Sequence, residues 1–397
     1  MDGPTDDTGL TRRRLLRAAA GVAAAGAFAG CTTESGDSTA TTGTPETTAA
    51  TTESAGGTAE QTTTASTASY AVSIEPVGEV TFDAVPETWV ANNGSWADMG
   101  VALGLEPPKA LWLTGRYHTH YYDGIDGVGV DKRDMVSLYQ DGVSFERFLE
   151  LDADVHVMDP NFLTNRFEGW TTEDVRRVEE RVGPLFGNCS YAQHYPWHDD
   201  YRYYSLMECF EKLAHVFQRT DRFEAFEGVH DDFQSNLAPV VPTPSERPEA
   251  AVVWGVGEEP TQFYPYVIGD GTGFKHLRDL GVRDALAASG VKDFHATRAA
   301  IDVETLLDVD PEVLLLRGYE PMTERDFQDT VVASLEAHEA ASRITAVENG
   351  DVYRAGGLYQ GPITNLVLTE RLAGDLYGFD GTLFDRGRVA EIVNGAV

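Results

Sequence analysis

The sequence has few basic residues, and lysine is the scarcest of them. Its 397 residues include 64 Asp and Glu against 30 Lys and Arg, a formal net charge of −34, and only five of the basic residues are lysines. Such a chain cannot neutralise a run of phosphates, which excludes a non-specific nucleic-acid binder, and it has no basic surface for anionic lipid. The acidic excess indicates a hydrated, monomeric protein from a salt-loving source, because ions screen carboxylate repulsion over about 3 Å at 1 M.

The fingerprints of common enzymes are also missing. The chain contains no Gly-x-Ser-x-Gly, His-Glu-x-x-His, Walker A or GxGxxG pattern, and residues 269–273 fit neither glycine-loop pattern. We therefore predict no catalytic residue and no resident cofactor. A secreted hydrolase or a surface adhesion module is the alternative of another class. With 42% hydrophobic residues, the chain can still form a packed core.

The N-terminus has the pattern of an export signal rather than of a membrane span. Residues 11–17 contain a twin-arginine pattern, and the thirteen uncharged residues 18–30 are too few to cross a bilayer of about 30 Å. The run ends Ala-Phe-Ala-Gly-Cys31, which resembles a lipobox. We predict a twin-arginine lipoprotein signal over residues 1–30 and lipidation of Cys31. An ordinary cleavage site beside an incidental cysteine is the alternative.

A threonine-rich stretch follows the signal. Residues 32–69 hold fifteen threonines and no Val, Ile, Leu, Met or aromatic residue. This composition cannot bury enough apolar area to offset the entropy of ordering. We predict a disordered tether over residues 31–70, which would hold the protein at the extracellular face of the cell membrane.

The remaining chain contains an internal repeat. Residues 144–158 and 302–316 each show an N-cap residue, Glu at the third position, an apolar helical pair, an acidic turn and a β run. This pattern indicates a duplicated α/β unit, with chance similarity between helix–strand units as the alternative.

A helical stretch separates the two copies. Residues 204–237 place apolar side chains at helical spacing, with one glycine and no proline. They predict one long helix. The predicted domains are therefore an N-terminal lobe over residues 71–203, an interlobe helix over 204–238 and a C-terminal lobe over 239–397.

With these features the chain resembles the substrate-binding proteins of ABC importers for ferric siderophores, haem and cobalamin. The motif S-x-E-x-x-L-x-L-x-x-D-V is seen over residues 144–155 and again over 302–313. Residues 346–353 are similar to the late motif A-V-K-N-G-R-V-Y, but Glu348 and Asp351 replace its basic residues.

The resemblance implies a fold and a function. The fold is an α/β arrangement of two Rossmann-like lobes with parallel sheets, joined by one long helix and with a ligand cleft between them. The function is that of a lipoprotein of the haloarchaeal type, which captures an iron(III) chelate and delivers it to an ABC permease. Cobalamin or haem is the alternative ligand.

In open α/β sheets the ligand lies beyond the carboxyl ends of the strands. Candidate residues therefore follow the predicted strands and combine arginines, which bind oxygen anions bidentately, with amides and aromatic rings. The predicted ligand-binding residues are Asn92, Asn93, Trp96, Arg116, Tyr117, Asn161, Phe162, Trp254, Tyr264, Tyr266, Arg317, Tyr319 and Tyr359. The alternative for the arginines is an ion pair with a nearby acid, and for the rings it is ordinary packing.

Arg116 and Arg317 are the strongest of these candidates. Arg317 comes directly after an apolar strand, and both arginines stand out in an acidic protein. The resemblance also implies that Glu146 and Glu304, at equivalent positions of the repeat, contact arginines of the permease. Stabilisation of their own helices is the alternative for this pair.

Other polar groups leave their roles open. Residues 117–123 and 194–198 contain histidines that could bind a metal ion, but loop histidines are usually solvated, and we expect no metal site. Cys189 and Cys209 remain after lipidation and could pair outside the cell. Asn93 and Asn188 begin glycosylation sequons.

Overall fold

A computed structural model describes residues 69–141, 143–193 and 195–396. The predicted signal peptide, Cys31 and almost all of the predicted tether lie outside these residues. Within the described ranges, no helix has both the length and the apolar character that a membrane crossing requires.

Short strands alternate with helices along the described chain. The strands are β1 (Tyr70–Ile74), β2 (Gly78–Phe82), β3 (Trp89–Ala91), β4 (Ala110–Leu111), β5 (Val136–Ser137), β6 (Val155–Val157), β7 (Glu249–Gly255), β8 (Gln262–Pro265), β9 (Arg283–Asp284), β10 (Ile301–Asp302), β11 (Val313–Arg317) and β12 (Val352–Arg354). The α-helices are Gly94–Ala102, Leu138–Asp141, Phe145–Leu151, Pro160–Arg166, Thr172–Arg181, Leu206–Val216, Thr220–Leu237, Lys275–Asp279, Ala285–Ala288, Phe294–Thr297, Val303–Val309, Glu324–Asp326, Ala333–Ala337, Thr345–Asn349, Pro362–Tyr377 and Arg386–Val393. A π-helix occupies Phe327–Val332, and 3₁₀ turns occupy Thr114–Arg116, Thr119–Tyr122, Thr272–Phe274 and Ala341–Arg343.

The first sheet system is parallel. β3 pairs with β6 and β4 pairs with β5, both in parallel. The backbone N–H of Lys109 donates to the carbonyl of Trp89 over 2.8 Å, which joins β4 to β3. An antiparallel hairpin of β1 and β2 precedes this layer. The carboxyl ends of the parallel strands β3, β4, β5 and β6 therefore lie along one edge.

The second sheet is mixed, with strand order β10-β8-β7-β11-β12 and β9 beside β7. β7, β11 and β12 are parallel, whereas β8 is antiparallel to β7 and β10 is antiparallel to β8. The connection from β7 to β8 is too short for a crossover helix, so it can only form a hairpin. The α/β class with parallel sheets is confirmed, with an antiparallel edge added to the second sheet.

The internal repeat is present in the structure. Ser144 and Asp302 cap the helices Phe145–Leu151 and Val303–Val309 with their side-chain oxygens. Each helix ends in an aspartate in the left-handed region, Asp152 at φ 45° and Asp310 at φ 46°, before strand β6 or β11. Aspartate tolerates this conformation better than most residues, which explains the acidic turn in both copies.

The prediction of one long interlobe helix was wrong. The segment forms two helices, Leu206–Val216 and Thr220–Leu237. Gln218 between them has φ 50°, and the N–H of Arg219 donates to the carbonyl of Ala214 over 2.8 Å. This is a Schellman ending with glutamine in the position that glycine usually takes. Neither glycine nor proline marks the break, so composition gives no sign of it.

The last two long helices return to the first lobe. Helix Pro362–Tyr377 contacts Gly94–Ala102, and Arg386–Val393 contacts Thr220–Leu237. The larger apolar cluster accordingly includes side chains from both ends of the chain, while a smaller cluster covers the other face of β7 and β11. The predicted lobe boundaries stay a prediction, but the end of the predicted C-terminal lobe packs on N-terminal helices.

Two helical glycines should respond oppositely to alanine. At Gly100 a Cβ atom would lie 2.5 Å from Cζ2 of Trp89, whose indole N–H is fixed to the carbonyl of Glu106. At the exposed Gly228 a Cβ would meet nothing within 4 Å. We expect Gly100→Ala to lower the free energy of unfolding by about 1–3 kcal/mol through overpacking. Gly228→Ala should raise it by about 1 kcal/mol through helix propensity.

Urea unfolding of both variants in the same molar KCl measures the two changes. A Gly100→Ala variant as stable as the unmodified protein, or more stable, would show that the contact between Gly100 and Trp89 does not limit packing.

Candidate ligand-binding site between the lobes

The carboxyl ends of β4, β7, β11 and β12 meet where the lobes face each other. Arg116 lies in the 3₁₀ turn after β4, and Trp254 is the second-last residue of β7. Arg317 ends β11 and is in register with Trp254, while Tyr359 lies in the loop after β12. The strand-end rule thus placed these candidates at the interface between the lobes.

Arg116 joins the two lobes. Its guanidinium carbon lies 4.4 Å from the centre of the Trp254 ring, a cation–π geometry. It also forms a hydrogen bond with the Tyr359 side chain. The Tyr359 ring in turn packs edge-on against Tyr191, with ring centres 5.4 Å apart. Arg116 therefore contacts two other predicted candidates, Trp254 and Tyr359.

Arg317 is completely buried, and no described acid forms an ion pair with it. It lies over the rings of Tyr266 and Phe274, at 5.2 and 4.5 Å from their centres. Its Nη2 donates to the carbonyl of Gly273 over 2.6 Å, but its Nε and Nη1 have no hydrogen-bond partner among the described residues. Burial lowers the pKa of Arg317 to about 10, which still leaves it charged at neutral pH. The predicted alternative of an ion pair is not formed within the described ranges.

Two further arginines, both exposed, lie near aromatic rings of this interface. Arg298 lies 5.4 Å from the Tyr195 ring centre and 5.1 Å from that of Phe294. Arg166, the last residue of helix Pro160–Arg166, is close enough to interact electrostatically with Arg298 and Tyr359. The sequence pattern predicts neither residue, because neither follows a strand and only the folded chain brings them here.

The three other C-terminal tyrosine candidates have different settings. Tyr264 and Tyr266 flank Phe294, with ring centres 4.6 and 6.0 Å from it. The Tyr319 hydroxyl donates to the carbonyl of Gly257 over 2.7 Å, so that group is already used within its own lobe.

Several N-terminal candidates have structural roles. The Asn93 side chain accepts a hydrogen bond from the N–H of Ser95 over 2.8 Å and donates to Asn92 over 2.7 Å, which caps a helix. Trp96 and Phe162 are buried in the larger apolar cluster. Nδ2 of Asn92 is buried without a hydrogen-bond partner among the described residues. The ligand role of these four residues stays a prediction. Asn161 is half-buried, and its ligand role stays a prediction.

Tyr117 belongs to a buried chain of hydroxyls that ends at a carboxylate. Its hydroxyl lies 2.9 Å from that of Tyr122, which donates to Asp98 over 2.7 Å. Asp98 also accepts the backbone N–H groups of Ile363 and Thr364, over 2.9 and 3.1 Å. Burial raises the pKa of Asp98 to about 6, although these hydrogen bonds oppose the rise.

A second polar connection between the lobes involves Glu320. Its carboxylate accepts hydrogen bonds from Tyr121 of the first lobe, from the N–H of Gly356 over 2.8 Å and from Arg371 over 3.0 Å. Burial alone would raise the pKa of Glu320, but the Arg371 charge and these donors together lower it to about 2. Within the histidine-bearing stretch 117–123, Tyr121 thus joins the lobes directly, whereas Tyr117 and Tyr122 connect to Asp98 of the first lobe.

The buried cysteines and sequon asparagines have clear settings. Cys189 and Cys209 are both free thiols. Asn93 and Asn188 are buried, and Asn188 donates to the carbonyls of Glu75 and Arg202 over 2.8 and 2.9 Å. A glycan could therefore not be attached to either asparagine in the folded protein.

Glu146 and Glu304 hold matching positions in the repeat. Each is an exposed residue in the first turn of a capped helix. Their contact with a permease stays a prediction.

The fold and this interface define a two-lobed α/β binding protein. A family model described as periplasmic binding protein matches residues 106–357. The chain belongs to this family, whose members are substrate-binding components of transport outside the cytoplasm and are not enzymes. No curated protein matches the chain.

Solved structures share the fold at low sequence identity. The siderophore-binding protein BauB, solved with two acinetobactin molecules and ferric iron, is 17% identical with a TM-score of 0.51, over 81% of this chain and 99% of its own. The iron-uptake protein PiuA from Streptococcus pneumoniae is 14% identical with a TM-score of 0.51, over 77% and 98%. A periplasmic binding protein from Veillonella parvula is 16% identical with a TM-score of 0.50, over 75% and 87%.

Glu320 should make stability depend on acid pH. A carboxylate whose pKa is lower in the folded chain adds stability that is complete above its unfolded value and is lost as pH falls through about 2. We expect Glu320→Gln to cost about 3 kcal/mol of unfolding free energy at pH 7. The difference from the unmodified protein should shrink between about pH 4.5 and pH 2.

Urea unfolding across this pH range in constant salt measures the difference. Asp329→Asn, in an exposed pair with Arg325, is the control and should cost less than about 1 kcal/mol. A Glu320 effect that is equally large at all pH values would contradict the assigned charge pairing.

Proposed function

We propose that this protein captures an anionic iron(III) chelate of the siderophore type between its lobes and delivers it to an ABC permease. The proposal depends mainly on the arginines at the lobe interface. Arg116, Arg166, Arg298 and Arg317 surround a group of aromatic rings in a chain whose net charge is −34. Arg317 is completely buried and forms no ion pair with a described acid, and such a cation is costly unless a ligand compensates it.

The chemistry of this group favours a ferric siderophore over the other ligands. Guanidinium groups bind carboxylate, catecholate and hydroxamate oxygens through paired donors, and aromatic rings pack against planar chelating groups. Nε and Nη1 of Arg317 are two such donors that are left over. BauB and PiuA, which share the fold, are described as siderophore-binding and iron-uptake proteins. Cobalamin and haem are the alternative ligands. The site favours them less, because they place less negative charge against so many cations.

The cellular setting completes the proposal. The twin-arginine pattern and Cys31 support export followed by lipid anchoring, with residues 31–70 as the tether. The acidic surface supports function in concentrated salt, and one chain is the functional unit. Glu146 and Glu304 are exposed at equivalent places of the repeat, where the paired permease subunits could contact them.

Ligand titration tests this function directly. In molar KCl, a panel of ferric hydroxamate, catecholate and citrate-type siderophores, with cobalamin and haem, is added while tryptophan fluorescence is followed. We expect saturable quenching by a ferric siderophore, since Trp254 lies against Arg116. A protein that binds no member of the panel, or that binds only cobalamin or haem, would contradict the proposed cargo.

Removing one interface cation should weaken that binding. We expect Arg116→Gln to raise the dissociation constant roughly 10- to 100-fold, because hydrogen bonds to charged groups contribute about 1.5–3 kcal/mol. The same titration measures the change. Arg325→Gln removes an arginine that is 87% exposed and pairs only locally, so it should leave the affinity unchanged. Equal affinities for both variants would place the anion elsewhere.

A further inference from the structure

A second cluster of polar side chains lies in the first lobe. It consists of Asp159, Cys189 and His198, called here the thiol cluster. One ligand-type atom from each residue lies within 4.8 Å of the other two. Asp159 follows β6 and caps helix Pro160–Arg166, whereas Cys189 and His198 come from the long loop before helix Leu206–Val216. The three residues are far apart in sequence, so only the fold brings them together.

Two of the residues are held by a common tyrosine. Asp159 accepts the Tyr201 hydroxyl over 2.6 Å and the N–H of Asn161 over 2.8 Å, and its carboxylate lies within 4.8 Å of the Cys189 sulfur. The backbone N–H of Cys189 donates to the Tyr201 hydroxyl, also over 2.6 Å. Groups that orient a carboxylate and a thiol in this way are typical of the surroundings of bound metal ions.

The imidazole of His198 is fixed as well. Its ring stacks on Tyr201, with centres 4.1 Å apart and planes at 14°, and its Nδ1 forms a hydrogen bond with the Tyr203 hydroxyl. A histidine ligand usually has one ring nitrogen bonded to such a neighbour, and the opposite nitrogen faces the metal. Here that opposite nitrogen is Nε2.

The types of donor decide which ion fits. One sulfur, one nitrogen and one carboxylate oxygen form a set that Zn²⁺ accepts, whereas Mg²⁺ and Ca²⁺ require oxygen ligands almost exclusively. A nucleophilic triad is a poor fit, because it places the imidazole between the nucleophile and the acid. In the thiol cluster, the Cys189 sulfur, the Asp159 carboxylate and the His198 imidazole all lie within 4.8 Å of one another, so the imidazole does not separate the other two.

We propose that Asp159, Cys189 and His198 bind one Zn²⁺ ion, separate from any transported cargo. The ion would join the end of β6 to the loop that carries Tyr191 and Tyr195. These two tyrosines contact Tyr359 and Arg298 at the lobe interface. Zinc would therefore fix the part of this loop through which the first lobe contacts the second lobe. This inference does not depend on the identity of the cargo.

Cobalt substitution tests the site with a visible probe. Untagged protein is freed of metal with a chelator in molar KCl and titrated with Co²⁺, then with Zn²⁺ in competition. We expect one equivalent per chain, a near-ultraviolet charge-transfer band from cobalt–thiolate bonding, and loss of that band on displacement by Zn²⁺. Native mass spectrometry checks the stoichiometry of the zinc form.

Two cysteine variants separate the site from general thiol binding. Cys189→Ser should abolish the thiolate band and weaken Zn²⁺ binding by more than about 100-fold, because losing a ligand costs more than losing a group that orients one. Cys209→Ser is the matched control: Cys209 is equally buried, but its sulfur lies 3.1 Å from the Ser190 hydroxyl. It should retain both the band and the affinity.

His198→Gln provides an independent test at a half-buried position. It should keep the thiolate band while weakening Zn²⁺ binding. This variant still tests the site if Cys189→Ser fails to fold. An unmodified protein that binds no zinc, or that gives no thiolate band with Co²⁺, overturns the proposal. Unchanged zinc affinity in Cys189→Ser or in His198→Gln also overturns it.

Discussion

The arrangement of the lobes depends on the hydrogen bonds that the buried carboxylate of Asp98 accepts. Asp98 lies in helix Gly94–Ala102 of the first lobe and accepts the first free N–H groups of helix Pro362–Tyr377. These donors, together with the partial positive charge of a helix N-terminus, offset part of the cost of burying the acid. Helix Pro362–Tyr377 also carries Arg371, which donates to Glu320. The Asp98 cap therefore helps to orient the helix that takes part in the second polar connection between the lobes.

The lobe interface carries positively charged side chains, although the protein as a whole is strongly negative. Carboxylates dominate the sequence, yet arginines lie against Tyr195, Tyr266 and Tyr359, and the buried Asp293 is an acid near Tyr266. Arg317 is completely buried, so its interactions are screened far less than those at the surface, where salt reduces them within a few ångströms. An acidic total therefore does not repel an anionic ligand, because the field inside the interface is set by the nearest cations.

Local signals in the sequence predicted local structure well. The caps Ser144 and Asp302 and the acidic turns after both repeat helices could be read directly, because each depends on a few neighbouring residues. The break at Gln218 could not be read, since a left-handed glutamine leaves no compositional mark. At the site, the strand-end rule found Arg116 and Arg317. It missed Arg166, Arg298 and Glu320, because their positions follow from how the lobes pack and not from any nearby pattern.

The kind of contact across the interface determines how the lobes can separate. The contacts from Tyr121 to Glu320 and from Arg116 to Trp254 and Tyr359 are polar or cation–π. Such contacts exchange for water at a small net cost. The apolar cluster that joins helices Gly94–Ala102 and Pro362–Tyr377 would lose far more on exposure. Separation at the polar side, with the apolar side intact, is therefore the motion that costs least, and it opens the region where the arginines lie. A ligand that satisfies those arginines favours the closed arrangement by its extra affinity for it.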